Sequence, residues 1–286
     1  VPPGALFSSS AKAGFPMLPV IDPGGHRAGR QAVVDAAALL PVSLMPTLAG
    51  IAAGNELVYV PCHRSTMDDL LMPYAIYTQG FVIPHIAAGI NLNLPVVGPL
   101  LRKGGAFFMR RSFRGNALYT VEFMNYLGAI MSRGHPLQYF IEGGRSRTGR
   151  LLSPKTGMLS MTLRSYLRQP VRPVVFVPVY LGYERIMEVD SYVGELSGQP
   201  KEKESLWGFL RSLRRLRENF GFVHVNIGEP IPLQPLLDAH VPQWREHTGS
   251  RAKAPPVNAA VDELASRIMR EIIMPAISGM AAEDNA

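Results

Sequence analysis

The residue types able to do chemistry gather in a few short tracts. The first is Val58-Tyr59-Val60-Pro61-Cys62-His63-Arg64-Ser65-Thr66-Met67-Asp68, where an apolar run ends at Pro61 and is followed by His63 and Asp68 five positions apart. On one ideal helix that spacing would separate the two side chains by about 140°, so they cannot share a helical face. They meet if His63 sits in the turn before the helix. Ser65-x-x-Asp68 supplies an N-cap and capping-box pair, which predicts a helix start at about Thr66. His63 then folds back over the first turn, Asp68 accepts one ring N–H, and the other ring nitrogen is left as a general base. A lone histidine at a strand end is more often structural, so this pair gains meaning only from its company. Cys62 invites a Cys–His nucleophile, but neighbours on an extended chain point to opposite sides, and that reading is set aside.

Two further tracts carry guanidinium groups. In Gly104-Gly105-Ala106-Phe107-Phe108-Met109-Arg110-Arg111 a short apolar strand delivers consecutive arginines at its end. Alternation turns one of them to the site and the other to solvent or lipid headgroups, although a solvated basic edge would carry the same pattern. The third tract, Phe140-Ile141-Glu142-Gly143-Gly144-Arg145-Ser146-Arg147-Thr148-Gly149-Arg150 with Lys155 beyond it, is the most informative. An apolar strand runs into two glycines, where the backbone can turn sharply and approach a ligand closely. Arg145 and Arg147 follow at alternate positions with Ser146 between them, and a planar guanidinium suits bidentate recognition of phosphate. Glu142 is placed to lock an arginine or to accept a bond from a substrate hydroxyl. A surface hairpin or an arginine-rich nucleic-acid patch would not need that carboxylate and Gly-Gly turn, so nucleic acid is not an expected partner. A fourth tract, Val174–Tyr180, is continuously apolar except for Pro178, which marks an edge or irregular point in a strand.

A base, its orienting acid and two arginine-bearing strand ends describe a transferase acting on a small phosphorylated alcohol, with the arginines presenting one hydroxyl to His63. No P-loop, dinucleotide fingerprint or metal-ligand spacing is present, so the expected donor is a group carrier, with no metal and no bound cofactor.

The elements that must position these tracts are legible in outline. Strand-like runs fall at Leu57–Pro61, Phe81–Ala87, Ala106–Met109, Leu137–Ile141, Val174–Leu181 and Phe222–Ile227. Between several of them lie helical periods, at Thr66–Gln79, Asn116–Ser132 and Lys155–Leu167, the second with an apolar face through Leu118, Val121, Met124 or Asn125, and Leu127. Pro73 should kink the first of these helices. Strand alternating with helix predicts an α/β domain with a central, mostly parallel sheet flanked by helices. Residues 1–30 read as a loose tail, and Ala36–Gly54 as an apolar helix packed on the domain or lying at a membrane interface, rather than a span or a signal peptide. Lys201–Arg217 reads as a charged helix, residues 241–254 as a polar linker, and Val257–Ile277 as a final helix. The division is an atypical tail with an apolar segment (1–54), the catalytic domain (55–240), and a linker with a C-terminal helix (241–286).

The totals agree with this outline. The 286 residues are 47% hydrophobic and 18% charged, with a net charge of +7, which favours anionic partners such as phosphorylated metabolites or anionic lipid. Many cytosolic enzymes carry a similar charge. One cysteine excludes an internal disulfide framework and suits a reducing compartment.

The four tracts, in this order, resemble the glycerolipid acyltransferases, a family with a His-x4-Asp motif: HRSTMD, GAFFMRR, FIEGGRSRTGR and VPVY. The longer tracts HRSTMDDLL, PHIAAGINLN, GAFFMRRSFRGN, FIEGGRSRTGRLLSPKTGMLSMT and KEKESLWGFLRSLRRLRENFG resemble the bacterial membrane-bound glycerol-3-phosphate acyltransferases in particular. The resemblance runs from about Asn55 to Pro232, and residues 1–54 do not share it. Members of this type are longer, with a large N-terminal helical region and a substantial C-terminal one.

The resemblance implies a catalytic pair at His63 and Asp68. It ties Phe108, Arg111, Glu142, Gly143, Ser146 and Arg147 to glycerol-3-phosphate, and Pro178 to the acyl-donor block. Ser65, Arg145 and Lys155 join the expected substrate-binding set. The implied activity is transfer of a fatty acyl group from acyl-CoA or acyl-acyl carrier protein to the sn-1 hydroxyl of glycerol 3-phosphate, the first step of phospholipid synthesis, by a peripheral enzyme on the cytoplasmic face of the inner membrane. The alternatives are an acyltransferase for lysophosphatidate or dihydroxyacetone phosphate, and a non-catalytic module binding anionic lipid or nucleic acid. Asn91–Leu101 is a candidate wall for the acyl chain or, equally, plain core packing.

Overall fold

The computed structural model describes residues 45–95, 97–113, 115–186, 188, 192, 223–247 and 256–283. The expected tail of residues 1–30 and the charged helix Lys201–Arg217 lie outside them.

The chain order is α1 (Met45–Ala52), β1 (Glu56–Pro61), α2 (Asp68–Thr78), β2 (His85–Gly89), α3 (Val97–Lys103), β3 (Ala106–Met109) and α4 (Ala117–Ser132). There follow β4 (Leu137–Gln138), α5 (Gly157–Arg168), β5 (Val174–Tyr183), β6 (Val223–Ile227), β7 (Ile231–Pro232), α6 (Leu233–His240) and α7 (Asn258–Glu283). One sheet takes all the strands in the order β3-β2-β4-β1-β5-β6, with β7 also pairing to β5. The first five run parallel, while β6 and β7 are antiparallel to β5. The structure is therefore α/β, with a mostly parallel sheet flanked by helices.

Continuous apolar runs in β1 and β5 are what a strand covered on both faces requires, and every residue of β1 is buried. Val58 pairs with Leu137 on one side and Phe176 on the other, which puts β1 at the centre. Residues of alternate parity face two helical layers. Phe107 meets Phe123 of α4, and Tyr139 meets Thr162 of α5 through their hydroxyls at 3.2 Å. On the opposite face Tyr59 joins Leu48 of α1, Met72, Ala75 and Ile76 of α2, and Val225 and Ile227 of β6 around a small apolar gap. α7 contributes Val261, Leu264, Ile268 and Ile272 to the main core and packs on β5.

Several expectations shift in detail. α2 begins at Asp68, two residues after the expected start, because Ser65 to Asp68 forms a tighter turn in which the Asp68 N–H donates to the Ser65 carbonyl at 3.2 Å. Pro73 lies within α2, which continues to Thr78 as one helix. β2 starts at His85 rather than Phe81, since Gly80 adopts φ +82° at the end of α2 and residues 81–84 carry the chain over to the sheet. β4 is two residues long; the Tyr139 N–H still donates to the Tyr59 carbonyl, and the chain then turns at Gly143 (φ +58°), whose N–H donates to the Phe140 carbonyl. In α4 the buried stripe is Phe123, Met124, Leu127, Ile130 and Met131; Leu118 and Val121 are 73% and 43% exposed, so the sheet-facing side is rotated from the expected one. Pro178 sits where the neighbour of β5 changes from β7 to β6, and there its carbonyl accepts the Gly228 N–H at 2.9 Å. A residue with no N–H to donate is tolerated at that break in the ladder.

Among the described residues no helix is long and apolar enough to cross a membrane.

Candidate active site

Because β1 to β5 are parallel, their carboxyl ends open on one edge of the sheet, where ligand crevices of α/β folds form. His63 leaves the end of β1 there, the Phe140–Lys155 loop the end of β4, Arg111 the end of β3, and Tyr183 closes β5.

The helical period explains how Asp68 is placed. It lies on the same stripe as Leu71, Met72, Ala75 and Ile76, so the burial that docks α2 on the sheet carries a carboxylate inside, and Asp68 is 0% exposed. Its position in the first turn of α2 suits a negative charge. Oδ2 accepts from Nδ1 of His63 at 2.9 Å, from the Arg64 N–H at 2.6 Å and from the Ser65 N–H at 2.9 Å. Oδ1 accepts the Tyr183 hydroxyl. These donors fix the carboxylate in place against Nδ1 of His63, which leaves Nε2 as the ring nitrogen with no bond to the described residues.

The imidazole is fixed in other ways too. It stacks on Phe140 with ring centroids 3.8 Å apart and planes 12° apart. The His63 N–H donates to Oε1 of Glu142 at 2.8 Å, and the His63 carbonyl accepts the Ser146 N–H at 2.9 Å. His63 itself keeps 13% of its side chain accessible.

The loop after β4 braces itself. Oε2 of Glu142 accepts the Leu152 N–H at 2.6 Å, the Ser146 hydroxyl donates to the Arg150 carbonyl, and the Lys155 N–H donates to the Ile141 carbonyl at 2.7 Å. A β-carbon added at Gly143 would lie 2.8 Å from Cδ of Lys155, so the aliphatic stem of that lysine crosses directly over the glycine.

The expected site residues therefore divide into two groups. Ser65, Glu142, Ser146 and Pro178 are buried. Ser65 donates its hydroxyl to Oε2 of Glu188 at 2.8 Å and accepts the Met67 N–H at 3.1 Å, which makes it a cap for the turn. Glu142 holds two main-chain N–H groups and no arginine; its oxygens face the loops that carry the site. Pro178 lies within the sheet, paired with Val60. These four shape the site through the backbone.

Arg145, Arg147, Lys155, Arg111, Phe108 and Gly143 are partly or fully exposed. Nη1 of Arg145 donates to Oγ1 of Thr66 at 2.5 Å and lies 3.4 Å from Oε1 of Glu188, which brings this guanidinium beside the His63 turn. Arg147 lies over the ring of Tyr192 at 5.6 Å. The paired arginines Arg110 and Arg111 are both exposed, and Arg110 stacks over Tyr119 at 4.8 Å. β3 lies three strand spacings from β1, about 14 Å, so Arg111 and Phe108 flank the His63 turn at a distance and do not join its hydrogen-bond network.

The Cys62 thiol is buried between the Leu181 N–H (3.2 Å) and carbonyl (3.7 Å), and burial pushes its pKa up to about 12. That is the environment of a structural thiol. Among the described residues no three His, Cys, Asp or Glu side chains form a metal-binding group.

Three participants lie outside the four sequence tracts: Tyr183, Glu188 and Tyr192. Glu188 accepts the Thr66 N–H at 2.8 Å as well as the Ser65 hydroxyl, and the Tyr192 hydroxyl donates to the Arg64 carbonyl at 3.0 Å. Their partners between Arg64 and Asp68 are 115 to 128 residues away in sequence, and no local pattern distinguishes them.

The family described as Acyltransferase matches residues 45–182, and the family described as Glycerol-3-phosphate acyltransferase C-terminal region matches residues 192–277. A glycerol-3-phosphate acyltransferase of Xanthomonas campestris is 57% identical over 223 residues, covering 77% of this chain and 25% of that protein. One from Pseudomonas putida is 50% identical, covering 82% and 28%, and one from Pseudomonas aeruginosa is 58% identical, covering 68% and 24%. The chain thus spans about a quarter of the length of the curated relatives it matches. A solved structure of a 1-acyl-sn-glycerophosphate (LPA) acyltransferase from Thermotoga maritima superposes with a TM-score of 0.43 at 19% identity, covering 86% of this chain and 77% of that one.

Proposed function

Because this chain belongs to the glycerol-3-phosphate acyltransferase family, we propose that it moves a fatty acyl group from a thioester donor to the sn-1 hydroxyl of glycerol 3-phosphate, yielding 1-acyl-glycerol 3-phosphate. The observation that carries this reading is the His63–Asp68 bond of 2.9 Å at the open edge of the sheet, with Arg145 bonded to Thr66 of the same turn.

In the mechanism, Nε2 takes the proton of the hydroxyl as its oxygen attacks the thioester carbonyl. Asp68 stabilises the imidazolium that forms, and the thiolate leaves with the proton that His63 returns. Phe140 and the main-chain bonds on both sides of His63 keep the ring from turning away, so the base is in place before the acceptor arrives. Arg145, Arg147, Arg111 and Lys155 supply the positive surface for the acceptor phosphate. The thioester brings its own activation, so acyl-CoA or acyl-acyl carrier protein serves without metal or bound cofactor. Asn91–Leu101 contributes to a small apolar cluster with Ile86, Ala88 and Ala106 and offers one wall for the acyl chain. The net charge of +7 supports peripheral attachment to anionic lipid, on the cytoplasmic face of the inner membrane.

Thiol release from palmitoyl-CoA, with and without glycerol 3-phosphate and in the presence of phospholipid, tests the proposal. Release should depend on glycerol 3-phosphate and fall by at least about 100-fold in His63→Ala. Release supported by lysophosphatidate alone would move the acceptor, and release by His63→Ala at the parent rate would remove the base.

A further inference from the structure

We infer that Tyr183 is a positioning residue for the catalytic base: its hydroxyl, at the carboxyl end of β5, holds the free oxygen of Asp68 and so sets how strongly Asp68 grips Nδ1 of His63. The inference rests on the acyltransferase reading and adds a third member to its His–Asp pair.

The two oxygens of Asp68 have different duties. Oδ2 serves His63 and the Arg64 and Ser65 N–H groups, all within five residues of Asp68. Oδ1 is turned to Tyr183, 115 residues away. The local turn therefore fixes one edge of the carboxylate, and the other edge is fixed only through the sheet.

Tyr183 is well placed for that task. It is the last residue of a ten-residue strand whose first six residues pair with β1 and whose final five pair with β6, Tyr183 itself opposite Val223. A side chain on so constrained an element has little freedom to withdraw. Burial and the neighbouring Asp68 push its phenol well above the ordinary range, so it remains an O–H donor at any working pH.

The charge argument fixes the sign. Each donor to a carboxylate draws off part of its negative charge. Without the Tyr183 hydroxyl, Asp68 has more charge left for the Nδ1–H bond, and its carboxylate plane loses its distal anchor. The imidazolium formed in the reaction then gives up its proton less readily, and the ring is less well aimed.

Tyr183→Phe in the full chain tests this, since it removes one oxygen and preserves the ring. The Nδ1–H proton of His63 in the NMR spectrum is expected to move further downfield than in the parent, and to be lost in Asp68→Asn. In turnover, kcat is expected to fall about 10-fold with KM for glycerol 3-phosphate unchanged, and the acidic limb of kcat/KM to move to higher pH. An unmoved Nδ1–H signal, or a lowered melting temperature with an unchanged pH profile, would make Tyr183 a packing residue only. The NMR comparison needs no turnover, so absence of glycerol-3-phosphate-dependent thiol release from the parent chain would count against the acyltransferase reading while the signal still decides Tyr183.

Discussion

The main-chain N–H of His63 donates to Oε1 of Glu142 at 2.8 Å, while the other oxygen of Glu142 accepts the Leu152 N–H at 2.6 Å. One buried carboxylate thus joins the turn that carries the base to the loop that carries the arginines. Glu142, which in sequence reads as a lock for an arginine or a contact for a substrate hydroxyl, bonds in the fold to the main chain of both parts of the site.

Glu142→Gln should therefore damage the site through geometry. The amide keeps one acceptor, and its NH₂ must oppose one of the two N–H donors, a mismatch costing about 1–3 kcal/mol. Urea unfolding is expected to show that loss, together with a fall in kcat of about 10-fold or more. Unchanged stability with a raised KM for glycerol 3-phosphate would instead make Glu142 a substrate ligand.

Cys62→Ala should retain acyl transfer, since the thiol is buried against Leu181 and burial raises its pKa to about 12. In the folded chain iodoacetamide should leave Cys62 unmodified by mass spectrometry, with alkylation appearing only in denaturant. Loss of activity in a folded Cys62→Ala variant would favour a covalent acyl-enzyme over direct attack.

Stability should fall with rising pH because of Glu56. This residue is 2% exposed at the start of β1, and its pKa is raised from 4.5 to about 8 by burial, against the opposing pull of Arg172. The fold thus keeps a proton that the unfolded chain releases above about 4.5. Its contribution is fully present below that pH and is lost as pH rises through about 8. Glu56→Gln should flatten the pH dependence of the melting temperature across this window and raise it by roughly 3–5 °C at the alkaline end. Parallel melting curves for the two proteins from pH 5 to pH 8.5 would refute the assignment.

Much of the fold was legible because its signals are local. The apolar runs of β1, β3 and β5 are continuous, those of β1 and β5 carry several valines, and all alternate with helical periods, which in a chain of this length leads to a parallel sheet. The buried face of α4 shares Met124 and Leu127 with the expected one and differs elsewhere because apolar residues occur around much of that helix, and only its packing selects Phe123, Leu127 and Ile130.

The same division holds at the site. His63 and Asp68 were readable because five residues and one helix start are enough to bring them together. The sequence alone determined the pairing of His63 with Asp68 and the presence of the basic loop, which are matters of side-chain type and short-range geometry. Only the tertiary structure decided that Glu142 and Ser146 serve the backbone, that Glu188 anchors Ser65 and Arg145, and that Tyr183 holds the far oxygen of Asp68. The physical reason is that these contacts close loops of 79 to 123 residues, apart from the short ones within the arginine loop and between Arg145 and Glu188. They exist only because parallel strands bring their carboxyl ends to one edge of the sheet.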